Sequence, residues 1–151
     1  MDPTEISFRQ IGAEEKDAIR ALFLGVFTAA PWNDDWSDRE QLDLYLDDLI
    51  SQNNSLTYGL YKGGGLIGVS MGHIRHWYEG TEYYIDELCI RTDQQGRGTG
   101  TRFLSAIEAA VRDIGLTRVF LQTERNVPAY RFYLKNGYHE LKDHVSFDKA
   151  L

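Results

Sequence analysis

Cysteine is almost missing from this chain: Cys89 is the single one among 151 residues. One thiol excludes an intramolecular disulfide framework and a multi-cysteine zinc site, and it fits a reducing, cytoplasmic setting. Proline is scarce as well, with three, and no Pro/Ser-rich linker, low-complexity tract or internal repeat interrupts the sequence. A single domain over residues 1–151 is therefore expected. Long apolar runs are lacking. The first 30 residues carry Glu5, Glu14, Glu15 and Asp17, and no stretch approaches the ~20 apolar residues of a membrane helix, so neither a signal peptide nor a membrane partner is expected. Basic charge is in deficit, with 16 Lys and Arg against 23 Asp and Glu. A net charge of −7 and a pI near 5.0 disfavour nucleic acid as a partner and favour cations. What remains, 42% hydrophobic and 26% charged residues, is the composition of an ordinary globular protein.

Periodicity lays out the elements. Ile6-Ser-Phe-Arg-Gln-Ile11 alternates as a strand. Between Glu14 and Phe27 the apolar residues Ala18, Ile19, Leu22, Phe23, Val26 and Phe27 fall on one helical face. A second helix fits Asp38 to Ile50, with Ser37 or Asp38 as its N-cap. Leu56–Lys62 and Leu66–Ile74 form a hairpin about Gly63-Gly-Gly65, and Glu82–Arg91 is a further strand. A long helix runs from about Gly98 to Ile114 and stops at Gly115. Arg118–Thr123 is a strand. Asn126 can cap a short helix that has Pro128 in its first turn and ends at Gly137. Tyr138–Leu141 and His144–Phe147 read as two final strands. The order β-α-α-β-β-β-α-β-α-β-β defines an α/β domain with a mixed, mostly antiparallel sheet.

The most informative stretch is Asp93-Gln-Gln-Gly-Arg-Gly-Thr-Gly-Thr101, set between a strand and an amphipathic helix. Glycines at 96, 98 and 100 let the backbone turn tightly, and free amides at a helix N-terminus suit a pyrophosphate. A glycine turn that merely redirects the chain would look the same. A P-loop is excluded because Thr101-Arg102 follows Gly100, and a dinucleotide loop because Thr101 stands where its third glycine belongs.

Gln95-Gly-Arg-Gly-Thr-Gly100 resembles the Gln/Arg-x-x-Gly-x-Gly/Ala signature of the GNAT superfamily of N-acetyltransferases. Asn126-Val-Pro-Ala-Tyr-Arg-Phe-Tyr-Leu-Lys-Asn-Gly-Tyr138 resembles the Asn…Ala-x-x-Phe-Tyr-x-x-x-Gly-Phe segment of the same family. The element order matches too, and the resemblance covers nearly the whole chain. It implies acetyl-CoA as co-substrate, held in a splay between the strands Glu82–Arg91 and Arg118–Thr123. Backbone groups of Leu88, Cys89 and Ile90 would pair with the pantetheine arm. The loop Gln95, Gly96, Arg97, Gly98, Thr99, Gly100 and Thr101 would hold the pyrophosphate, and Asn126 would touch the arm from the other side.

Acetyl transfer to an amine needs a base for the ammonium proton, because a free alkylamine with pKa ~10.4 is mostly charged at pH 7. It also needs an acid for the departing thiolate. By resemblance Tyr133 is that acid, next to the CoA sulfur; Tyr130, three residues earlier on the same helix face, is the rival. For the base, Asp86 and Glu87 stand inside the apolar run Tyr84-Ile-Asp-Glu-Leu-Cys-Ile90, where a carboxylate needs a polar cleft or a partner. Regular alternation puts Tyr84, Asp86 and Leu88 on one face and Glu87 on the other, which favours Asp86; a bulge would reverse the two. Some aminoglycoside 6′- and polyamine N-acetyltransferases of the family carry an acid where Asp86 stands. Others carry it at the position of Tyr84, where this chain has none. A salt bridge from Asp86 to an arginine is the purely structural reading.

His73 and His76 fall on opposite faces of a strand without a third ligand at metal spacing, so no metal is expected. Trp32, Trp36, His73 and Tyr84 are candidates for the wall of the acceptor site. Asp34 to Asp48 holds seven acids against one base, Arg39. That is either a solvated helix face or a lure for a polycationic small molecule or peptide amine. The chain thus reads as an acetyl-CoA-dependent N-acetyltransferase of a primary amine. A silent acyl-CoA sensor of the same fold and a plain interaction domain are the alternatives, and a homodimer is compatible with all three.

Overall fold

Alternating apolar residues build a five-stranded sheet in the computed structural model, which describes residues 2–151. Its strands are β1 (Ile6–Ile11), β2 (Ser55–Lys62), β3 (Gly65–Trp77), β4 (Gly80–Ile90) and β5 (Arg118–Leu121), lying side by side in chain order. The first four pair antiparallel, and β5 runs parallel to β4. The short connections explain the first pattern: Gly63 and Gly64, both at positive φ, turn β2 into β3. A parallel pair instead needs a crossover, and α3 (Thr99–Asp113) supplies it.

The other helices are α1 (Lys16–Phe27), α2 (Arg39–Ile50) and α4 (Pro128–Lys135). Asp38 caps α2, its carboxylate accepting from the Gln41 N–H at 3.1 Å. Each sheet face has its own core. Ile19 and Phe23 of α1 and Leu42 and Leu46 of α2 pack on Val69, Met71 and Cys89. On the opposite face Phe103, Leu104 and Ile107 of α3 pack on Leu60, Tyr83, Ile85 and Ile90.

Two expectations fail. Tyr138–Leu141 and His144–Phe147 form no strands. Their alternation is real, but a strand also needs a ladder partner. Here β5 is four residues long, and a cavity of about 610 Å³ lies between it and the segment that returns past it. Val145 and Phe147 stay exposed as a result. Nor does Asn126 cap α4. The N-cap is Val127, without a side-chain bond, because Pro128 occupies the first turn and sets the boundary one residue later.

Candidate active site

The sheet opens between its last two strands. β4 pairs with β5 only from Glu82↔Arg118 to Ile85↔Leu121, yet β4 continues to Ile90. Leu88, Cys89 and Ile90 still pair with β3, so their backbone groups on the β5 side face a gap with no strand opposite among the described residues. That edge can accept an extended chain as an added strand. The Cys89 side chain turns away from the gap into the α1/α2 core, where burial pushes its thiol pKa up.

At the end of β4 the glycine loop turns into α3. Gln95 holds the turn together: its side-chain Nε2 donates to the Ile90 carbonyl at 2.8 Å and its backbone N–H to Thr92. The amide of Gln95 is thus already engaged. Gly96 and Gly98 both sit at φ +75, where a side chain is strained, and a Cβ on either would meet open space. The N–H groups of Gly96, Arg97 and Gly98 have no protein acceptor among the described residues. The first turn of α3, with Thr99, Gly100 and Thr101, leaves more N–H groups free. No acid lies in that turn, so the positive end of the helix is not neutralised. This cradle fits a pyrophosphate. Gly100 has a different task. A Cβ there would lie 3.0 Å from Phe132 Cε1, so the missing side chain lets α4 settle against α3.

That contact seats α4 and brings Tyr133, next to Phe132, to the gap. Tyr133 packs against the α3-side core and stacks at a tilt on Tyr138. Burial, and after it the charge of the nearby Glu87 carboxylate, push its hydroxyl pKa up, so the proton is retained at neutral pH. No protein group accepts from this hydroxyl among the described residues. Tyr130, by contrast, donates to Glu140 at 3.0 Å and is committed elsewhere. Asn126 is exposed, its side chain without a protein partner among the described residues.

A β-bulge changes the geometry of the acids. The register with β3 passes from Met71↔Glu87 to Gly72↔Ile85, which leaves Asp86 as the extra residue. Ile85 and Leu88 belong to the α3 side, so Asp86 and Glu87 both turn to the α1/α2 side with Tyr84. The regular alternation that separated the two acids does not hold, and face no longer ranks them. Each has its own partner. Asp86 Oδ2 lies 2.9 Å from His73 Nδ1. Glu87 accepts from the Tyr45 hydroxyl at 2.6 Å, and its pKa is raised by burial. The arginine available for a structural salt bridge, Arg75, pairs with buried Glu82 instead.

Around the bulge lie aromatic rings. His73 stacks on Tyr84 at 4.9 Å, and Tyr84 is tethered through its hydroxyl to Gln122 at 3.1 Å. Trp36 stacks on Tyr45 at 5.2 Å. Trp32 is drawn away to Phe27. Most of the acidic segment is spent on local structure: Asp43 pairs with Arg20 and Asp47 with Lys16, Asp38 caps α2, and Asp35 accepts from Ser37. Asp34 is the member whose charge reaches Glu87 and Tyr45. Tyr45 and Gln122 were not singled out from sequence. The signal for Tyr45 was a hydroxyl on the apolar Leu42–Leu46–Leu49 face, which had to find an acceptor. Among the described residues, no group of three His, Cys, Asp or Glu side chains could hold a metal ion, and no helix is long and apolar enough to cross a membrane.

These features, a splayed parallel pair with an amide cradle below it, define a CoA-dependent acyl-transfer fold. The sequence profile of the acetyltransferase (GNAT) family matches residues 16–138. The chain belongs to that family and is an acetyl-CoA-dependent N-acetyltransferase. An aminoglycoside acetyltransferase from an uncultured soil metagenomic sample, solved in complex with sisomicin, is 22% identical over 97% of this chain and 96% of that one, with a TM-score of 0.74. The aminoglycoside N-acetyltransferase AAC(6′)-Iy in complex with CoA is 16% identical over 98% and 97%, with a TM-score of 0.71. A possible acetyltransferase from Clostridium difficile 630 reaches a TM-score of 0.79 at 13% identity over 97% of each chain. No curated protein sequence matches.

Proposed function

We propose that this enzyme acetylates a primary amine of a small polycation by direct attack of the amine on acetyl-CoA. The observation that carries the reading is the meeting, at one gap, of a protonated unpartnered tyrosine and an acidic bulge. Acetyl-CoA supplies the activated acetyl group. Its pantetheine arm is held by the free edge of Leu88–Ile90 with Asn126 alongside, and its pyrophosphate by the amides from Gly96 to Thr101. Tyr133 donates its proton to the departing thiolate. Asp34, Asp86 and Glu87 attract the cationic amine, Trp36, Tyr45 and Tyr84 flank it, and its proton leaves at the bulge. A polycation suits three carboxylates better than a monoamine does. The aminoglycoside enzymes of like fold support that class.

Thiol release from acetyl-CoA, measured with sisomicin, spermidine and a lysine-bearing peptide, tests this. Turnover with one of the first two, far above the thioester hydrolysis rate, is expected. Turnover with the lysine-bearing peptide alone would overturn the small-polycation reading.

A further inference from the structure

The acidic bulge holds a third group besides its two carboxylates. His73 Nδ1 and Asp86 Oδ2 are 2.9 Å apart, and the imidazole lies nearly parallel to the Tyr84 ring, at 20°. Two contacts thus fix the ring: one in its plane, one on its face. A carboxylate accepts but does not donate, so Nδ1 must carry the hydrogen. The lone pair is then on Nε2. Nε2 has no protein partner among the described residues, and the side chain remains 29% exposed. Tyr84 is the ladder partner of His73, and Asp86 shares its face, which sets the carboxylate beside the imidazole of β3.

We infer that His73, oriented by Asp86, takes the proton from the acceptor amine. The inference rests on the acetyl-transfer reading and names its base. Asp86 becomes a positioning residue, and Glu87 an anchor for the cation. An imidazole suits the task because its two nitrogens divide the work: Nδ1–H is held by the carboxylate while Nε2 keeps a lone pair for the amine's proton. The steps balance. The ammonium gives one proton to Nε2, and its nitrogen regains a lone pair. The N–C bond forms as the C–S bond breaks. The thiolate takes the Tyr133 proton, the second proton lost from nitrogen restores the tyrosine through solvent, and the imidazolium returns its proton to water. The sum is ammonium plus thioester giving amide, thiol and one proton.

The ionisable groups around His73 are Asp86, Tyr84 and Glu87 on β4, Arg75 on its own strand and over the Tyr84 ring, Tyr45 of α2, and His144 beyond Phe120; the β2 residue opposite is Ser55. A staple between β3 and β4 would use the same contact, so the test must separate base from staple. His73→Gln keeps an N–H for Asp86 but cannot take a proton. With sisomicin as acceptor, kcat should fall by roughly 10²–10⁴-fold, while KM for acetyl-CoA and the melting temperature stay close to those of the wild type. The acid limb of the wild-type kcat profile should vanish, leaving a rate that keeps climbing towards the titration of the amine. Added imidazole should restore part of the activity of His73→Ala. Independently of turnover, ¹⁵N NMR should find the neutral ring protonated on Nδ1, and Asp86→Asn should weaken that preference. A ring protonated on Nε2, or a His73→Gln enzyme with the wild-type acid limb, overturns the inference and leaves acetyl transfer intact. Failure of the wild type to acetylate any amine overturns the functional reading, and the base role with it, even where the Nδ1 tautomer is found.

Discussion

Tyr133 and Glu87 are half-buried for different ends, and the direction of each shift says what to measure. Tyr133 keeps its proton because burial disfavours phenolate; a retained proton is what a general acid needs. Tyr133→Phe removes the hydroxyl and little else, so kcat should drop by roughly 10²–10⁴-fold with acetyl-CoA affinity nearly unchanged. Equal kcat in the variant, under conditions where chemistry limits turnover, would remove the assignment. Glu87 also has a raised pKa, chiefly from burial, partly offset by the Tyr45 hydrogen bond. For a carboxyl raised on folding, the native state binds more protons than the unfolded chain. Stability therefore falls as pH rises through the window that opens at the unfolded value, ~4.3 for a glutamate. Glu87→Gln removes that penalty and can still accept from Tyr45. Its melting temperature should exceed that of the wild type at pH 7, with the difference shrinking towards pH 4. Its KM for sisomicin should rise. A variant less stable at pH 7 than the wild type would mean the ionised carboxylate contributes more than its burial costs.

At the scale of elements, the loop before α3 separates into two functions. Gly96 and Gly98 open the cradle, whereas Gly100 lets Phe132, and hence α4 and Tyr133, approach α3. On the proposed reading, cofactor grip and acid placement share one five-residue stretch. Gly98→Asp adds a negative charge where the pyrophosphate belongs; its Cβ meets open space, but φ +75 strains any side chain, so the comparison is made on the folded variant against its own melting temperature without ligand. The wild type should gain thermal stability from acetyl-CoA, by about 2.7 kcal/mol at a hundred times Kd, and Gly98→Asp should lose that gain. A folded variant that melts higher with acetyl-CoA by the wild-type amount would show that the loop does not hold the phosphates.

Over the whole molecule, the net charge of −7 and the cluster of Asp34, Asp86 and Glu87 act in the same direction. On the proposed reading, both draw cations to the α1/α2 side of the gap, with acetyl-CoA entering from the β4 edge and the glycine loop. Screening should weaken that attraction, since the Debye length shortens from ~10 Å at 0.1 M salt to ~3 Å at 1 M. KM for sisomicin should rise with added NaCl much more than KM for a simple monoamine. Equal salt sensitivity of the two would argue that the acids do not recruit the acceptor.

Some of this was legible in the chain before any fold. The helices at 16–27, 39–50 and 99–113, the hairpin about Gly63 and the glycine loop follow from periodicity and from residues whose backbone preferences are local. The short helix that holds the Phe132-Tyr133 pair was legible too, from Pro128 and the stop at Gly137. What the sequence could not carry depends on a partner strand. Alternation around residues 138–147 promised two strands, but no local property tells whether an edge is there to pair with. Likewise the ranking of Asp86 over Glu87 rested on a regular ladder. The bulge exists only in the register between β4 and β3, and it alone turns both acids to one side. The His73–Asp86 and Tyr45–Glu87 pairs join residues 13 and 42 positions apart. Such contacts are selected by the packing of α2 and β3 on β4, because a buried carboxylate or hydroxyl takes whichever partner the tertiary fold brings within hydrogen-bond reach.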